Sequence, residues 1–320
     1  MTYQEFICNI TDRIQTIVGN RYQVKCHPVR KNNGVHLDGL MVMSEEANVS
    51  PTIYLNNYYD QYIHGRPLSE IIWEIVQLFK KAPLLGKIEI DRFSDFASVR
   101  DNIAIKLINY EANLDLLKEV PHRRFLDLAE VYYFVVPNEL LGNATILIRN
   151  EHMELWQINE TVLHRLGMRN TLYLGWEIRP MNLILRDYIR EELDDYLKDK
   201  EPADHPAPDH IQMLAEEILS DIYQSDVEGP LYVLSNDQRF FGASCILYTA
   251  RLKEFADLKD SDLYILPSSI HEVILIPQNV SPSYESLCAM VKEINNSEVE
   301  ICDRLSDRVY KFDRVTGEIS

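Results

Sequence analysis

The sequence predicts an α+β fold in which antiparallel strand pairs are interleaved with helices in two lobes. Three observations carry this reading. Apolar residues switch repeatedly between the two-residue repeat of strands and the 3.6-residue repeat of helices. Successive strands are separated by turn-forming residues rather than by crossover helices, so they pair antiparallel. The charge is also split: residues 1–180 hold 19 basic and 22 acidic side chains, whereas residues 181–320 hold 13 and 28.

The first lobe, residues 1–198, opens with an amphipathic helix over residues 2–18. Arg21–Arg30 reads as a strand and Val35–Met43 as its return, with Asn33 and Gly34 between them. Asn and Gly tolerate the positive φ that a tight hairpin requires. Val35, Leu37 and Gly39 alternate with His36, Asp38 and Leu40, which predicts a half-buried strand. Pro67–Lys81 is a helix, since Pro suits the first turn and Ile71, Ile72, Ile75, Val76 and Phe79 form one stripe. A second strand pair is predicted over Phe125–Val136 and Ala144–Arg149, with a short helix over Thr161–Leu166 after it. Met181–Leu197 is a longer helix bearing Leu185, Tyr188, Ile189, Leu193 and Tyr196 on one face.

Pro202, Pro206 and Pro208 interrupt an acidic run, so residues 199–209 are expected to form the linker. Between Asp187 and Glu228 there are 3 basic and 14 acidic residues, a net of −11. The second lobe, residues 210–320, begins with a helix over Ile211–Tyr223. Strands are predicted at Leu231–Ser235, Ala243–Leu247, Leu263–Leu266 and Val273–Ile276, and helices at Ala250–Leu258 and Tyr284–Asn295.

A net charge of −18 over 320 residues argues against direct binding to nucleic acid or to anionic membranes. No apolar run spans a bilayer, and the first residues lack the apolar core of an export signal. Cys8, Cys26, Cys245, Cys288 and Cys302 are scattered and odd in number, a poor disulfide framework. A reduced, cytoplasmic protein is the expectation.

Familiar catalytic patterns are missing. His271 and Glu272 begin like a zinc-protease helix, but Leu275 stands where the second His is needed. Ser268 and Ser269 precede His271 without the glycines of a nucleophile elbow, and Ser268 reads as a turn cap. Cys26 and His27 are strand neighbours and point to opposite faces. His205 and His210, with Asp204 and Asp209, sit in the linker and read as solvated, so no metal site and no cofactor are expected. With 11 glycines in the whole chain, there is no glycine-rich phosphate cradle.

Tyr54, Tyr58 and Tyr62 recur at helical spacing, with Tyr59 adjacent. They read either as a face packed under the Pro67–Lys81 helix or as a Tyr-rich recognition surface. Arg123 and Arg124 form a small basic point that could meet an acidic partner or the acidic segment of the same chain. Glu191, Asp194 and Asp195 lie on the exposed side of the Met181–Leu197 helix and are candidate contacts for a basic partner.

Four blocks, Lys31–Met43, Asn48–Tyr59, Val120–Ala129 and Asp262–Pro277, resemble the bacterial family of unknown function DUF5688. The resemblance implies a bacterial protein matched over nearly its whole length, and it supplies no mechanism. The sequence therefore points to a non-catalytic binding or regulatory protein acting through a protein partner, with a basic protein as the partner its charge favours. Two rivals stand beside it. One is an enzyme of unfamiliar type whose acid and base residues Asp38, His271 and Glu272 converge in the fold. The other is an acidic decoy or inhibitor of a basic surface.

Overall fold

The computed structural model describes residues 1–44, 52–81, 93–136, 144–198, 229–267 and 269–320. The expected linker 199–209, the helix over 211–223, the connection 137–142 and the Ser268 cap lie outside the described residues. The chain is α+β with antiparallel sheets. It divides into two compact units. One comprises Met1–Ala104, Asn109–Arg123 and Val131–Asn170, and the other Ile105–Ile108, Arg124–Glu130 and Thr171–Ser320.

Helix α1, Tyr3–Val18, starts at a capping box in which the Thr2 side chain accepts the Glu5 N–H and Glu5 accepts the Thr2 N–H. Gly19, at φ 76°, ends it. Strands β1 (Tyr22–Arg30), β2 (His36–Ser44) and β3 (Ile53–Tyr54) form one sheet in that order. Arg30 pairs with His36 across the hairpin, and Asn33 and Gly34 take φ of 57° and 68° as the turn demands. Helices α2 (Leu55–Ile63) and α3 (Leu68–Lys81) follow. Phe6, Ile10 and Ile14 of α1 meet Leu40, Val42, Leu55, Ile71, Ile75 and Val76 in one core. The phase of β2 differs from the expected alternation, because Leu40 and Val42 face this core. Gly39 lies under Thr52, where an added Cβ would come within 2.4 Å of the methyl.

Helix α4 (Phe96–Val99) is capped by Asp95. After it come β4 (Ile103–Asn109), α5 (Leu114–Leu117), β5 (His122–Phe125), β6 (Leu128–Val135) and β7 (Thr145–Leu147). Their sheet runs β4-β6-β5, with β7 also on β6. Helices α6 (Asn150–Trp156) and α7 (Glu160–Tyr173) complete this region. Helix α7 runs well past the expected Leu166 because its end closes the open edge of β4. The Asn170 amide donates to Ile103 O at 2.9 Å, and Thr171 Oγ1 accepts Ile105 N–H at 2.8 Å. These side chains satisfy peptide groups that a partner strand would otherwise take.

The remaining elements are β8 (Glu177–Pro180), α8 (Met181–Lys198), β9 (Tyr232–Ser235), α9 (Thr249–Leu258), β10 (Leu263–Leu266), β11 (Val273–Pro277), α10 (Tyr284–Ser297) and β12 (Tyr310–Phe312). Their antiparallel sheet has the order β12-β10-β11-β9-β8. Because β8 pairs with β9, Thr171–Lys198 group with the second unit. Gly242–Leu247 forms tight helical turns instead of the expected strand. The Asn236 side chain brackets Phe240 with two hydrogen bonds, and Phe241 takes a left-handed φ of 56°. A Cβ on Gly242 would meet Ser235 Oγ at 2.1 Å. A short buried apolar run does not by itself distinguish strand from helical turn.

Candidate functional site

The first unit carries an open cleft of about 900 Å³ between the β1–β2 hairpin tip and the turn that holds α5. Asn33 and Asn113 clasp its two walls together. Asn33 N–H donates to Asn113 Oδ1, and the Asn113 amide returns a bond to Asn33 Oδ1, both at 2.8 Å. The same amide reaches Asn109 O at 2.8 Å, and Asn113 is almost fully buried. The positive φ at Asn33 therefore has a second use, since it presents that residue to the clasp.

Arg30 and His36 lie on the hairpin wall, and Tyr110, Glu111, Asp115 and Lys118 on the other, with His122 also lining the cleft. Lys118 Nζ donates to Asp115 at 2.7 Å. That hydrogen bond, with the charges of Lys118 and Arg30, holds the Asp115 carboxyl below its ordinary range. Arg30 Nη1 reaches Glu119 at 3.4 Å, and Glu119 also takes Arg149 Nη1 at 2.5 Å. The His122 Nδ1 lies 3.0 Å from Val120 O, a contact that calls for a proton on Nδ1. The Tyr110 ring stands against that imidazole, their centroids 6.1 Å apart.

The residues singled out from sequence have local partners. Asp38, in the first unit, accepts the Tyr3 hydroxyl at 2.9 Å, and its N–H donates to Asn56 Oδ1. Burial, and then the Asp38 carboxylate, push the Tyr3 phenol up. Burial first, then Asp38, push the Cys26 thiol up to about 11, far from a reactive thiolate. His271 and Glu272, in the second unit, precede β11. His271 Nδ1 accepts the Phe241 N–H at 3.3 Å, Nε2 faces Asp303 at 3.7 Å, and the Phe241 ring stacks on the imidazole. A general base needs an available lone pair, and that of Nδ1 is occupied. Cys245 is buried as expected of a core residue.

The three tyrosines take three different directions. Tyr54 precedes α2 in extended conformation, with Lys31 Nζ 4.4 Å above its ring. Tyr58 donates to Glu74 Oε1 at 2.9 Å, and burial followed by Glu74 raises its phenol to about 12. The Tyr62 ring packs 5.5 Å from that of Phe6. On α8, Leu185 and Tyr188 are 52% and 59% exposed, and Glu191 is exposed as well. The side chains of Asp194 and Asp195 lie outside the described residues.

A polar cluster that sequence reasoning missed joins Arg123 to α7. Arg123 Nε and the buried Tyr132 hydroxyl both donate to Glu160 Oε1, at 2.6 and 2.5 Å. Burial alone would raise the Glu160 carboxyl, but the bonds from Arg123 and Tyr132 outweigh it and hold the group low. His164, one turn on, is held below the usual imidazole range by burial and then by Arg123. Because the folded value of Glu160 is depressed, its contribution is complete above about pH 4.3, the ordinary Glu value, and fades as pH falls through the lower folded one. Glu160→Gln should therefore flatten the loss of stability below about pH 4. Urea midpoints measured across that range in both proteins test this, and parallel curves would refute it.

Among the described residues, no group of three or more His, Cys, Asp or Glu side chains is placed to hold a metal ion. No helix among them is long and apolar enough to cross a membrane. The chain belongs to the family of unknown function DUF5688, whose profile matches residues 3–314. No curated protein and no solved structure matches it.

Proposed function

We propose that the protein is a non-catalytic binding or regulatory protein that acts through a protein partner, and that the first-unit cleft receives it. The observation that supports this most is the cleft itself, an open concavity of mixed polar and apolar lining whose walls are fixed to each other by the Asn33–Asn113 clasp. Binding surfaces are commonly built from loops held on a rigid scaffold. By contrast, Asp38 and His271 are engaged in bonds that hold their own neighbourhoods together.

The partner is basic overall. The charge of −11 between Asp187 and Glu228 favours encounter with a positive surface, and Leu185 and Tyr188 on α8 add exposed apolar area beside Glu191. Electrostatic steering of this kind speeds association and weakens as salt rises. Capture from native lysate by the wild type and by Ala112→Trp, which fills the cleft, is the test. The partner should be lost with the variant while the melting temperature stays unchanged. Its on-rate should fall several-fold when Glu191, Asp194 and Asp195 are replaced by Gln or Asn. Capture that ignores the Trp refutes the cleft as the docking site.

A further inference from the structure

The charges around the cleft do not cancel evenly along it. Lys118 and Asp115 neutralise each other on one turn. Arg30 and Arg149 share the single carboxylate of Glu119, which leaves one positive charge in excess at the hairpin end. The Arg30 contact is the long one at 3.4 Å, so most of that guanidinium's five donors remain for an incoming acceptor. Glu111, a turn of backbone before Asp115, is exposed and has no hydrogen-bond or ion-pair partner among the described residues. That leaves one negative charge in excess at the other wall. The Tyr110 and His122 rings also line the cleft, their centroids 6.1 Å apart.

We propose that this cleft binds a dipolar peptide segment, with a ligand carboxylate on the Arg30 guanidinium and a ligand ammonium or guanidinium on Glu111. The inference rests on the reading of the cleft as the partner's docking site. A carboxylate can take two parallel N–H bonds from the Arg30 fork. The cation gains the Glu111 charge. A volume of about 900 Å³ is several times that of one amino acid, so a chain segment fills it and a free amino acid does not. The balance of charge in the cleft also gives specificity, since a purely basic or purely acidic segment places one like charge against Arg30 or Glu111.

The test uses the full chain and four blocked, fluorescently labelled tetrapeptides followed by anisotropy. One carries Glu and Lys, one Glu alone, one Lys alone and one neither, and free glutamate and lysine serve as competitors. The mixed peptide should bind at least tenfold more tightly than either singly charged one, and the free amino acids should not displace it. Arg30→Gln should lower the mixed peptide to the level of the Lys peptide, and Glu111→Gln to the level of the Glu peptide. Arg30→Lys, which keeps the charge but not the fork, should fall between and serves where Arg30→Gln melts early. A singly charged peptide binding as well as the mixed one, displacement by a free amino acid, or indifference to both substitutions overturns the dipolar assignment. The same holds if none of the peptides binds. In each of these cases the docking-site reading still stands if Ala112→Trp abolishes partner capture, and falls with it if capture persists.

Discussion

Replacing Phe6 by Ala is expected to cost about 4 kcal/mol, within the range for removing a fully buried aromatic ring. Phe6 has no solvent exposure and sits in the core made by α1, β2, α2 and α3. Its ring lies 5.2 Å from that of Tyr59 and 5.5 Å from that of Tyr62, so the cavity would open beneath the tyrosine face of α2. Tyr62→Phe keeps the ring and should stay within about 0.5 kcal/mol of wild type. Urea unfolding of the two variants distinguishes a packed tyrosine face from a recognition face. Packing requires a large loss for Phe6→Ala and almost none for Tyr62→Phe. A loss below about 1.5 kcal/mol for Phe6→Ala would mean that the core closes over the gap, and that the tyrosines are not held by it.

Helix α1, the β1–β2 hairpin and α3 were legible in the sequence because their signals are local. They need only an apolar stripe, an Asn-Gly turn and a proline at a first turn. The tyrosine spacing fails at its first member: α2 begins at Leu55, so Tyr54 lies outside the helix and its ring meets Lys31. Strand β4 shows no clear alternation because, Lys106 apart, Ile103–Ile108 is apolar on both faces, and its edge is satisfied by side chains of α7 that no pattern announces. Gly242–Leu247 has a strand's composition but is turned by Asn236 and a close approach at Gly242. The cleft was beyond reach for a further reason. Its clasp joins residues 80 positions apart, and neither Asn33 nor Asn113 carries a signal that points to the other. Arg123 was visible as a basic point, but its acceptor Glu160 lies 37 positions away. Single-sequence reading recovers local chemistry, and both polar sites are products of long-range folding.

Asp127→Ala is expected to cost about 3 kcal/mol, because one carboxylate holds two buried hydroxyls and bonds to a charged acceptor are worth roughly 1.5–3 kcal/mol each. Asp127 lies in the turn between β5 and β6, directly after Leu126 at a φ of 56°. It accepts Ser306 Oγ on one oxygen and Tyr310 Oη on the other, each at 2.7 Å, across 179 and 183 positions of sequence. Ser306 and Tyr310 are both nearly fully buried, so neither hydroxyl can turn to water when the carboxylate is removed. Burial above all, with Asp127 adding to it, pushes the Tyr310 phenol far up, which keeps it a donor throughout the ordinary pH range. Ser306 Oγ in turn accepts the Arg308 N–H at 2.9 Å, and the Asn295 amide donates to Ser306 O at 3.1 Å. The carboxylate therefore anchors the segment that leads into β12, the edge strand of the five-stranded sheet. Tyr310→Phe and Ser306→Ala each remove one bond to the carboxylate and should cost about 1.5 kcal/mol apiece. Adding Tyr310→Phe to Asp127→Ala should recover stability, because it removes a donor that the first change left unsatisfied. Urea midpoints for the four variants measure this directly. Equal losses for Asp127→Ala with and without Tyr310→Phe would mean that the phenol finds another acceptor, and that the carboxylate is not what anchors β12.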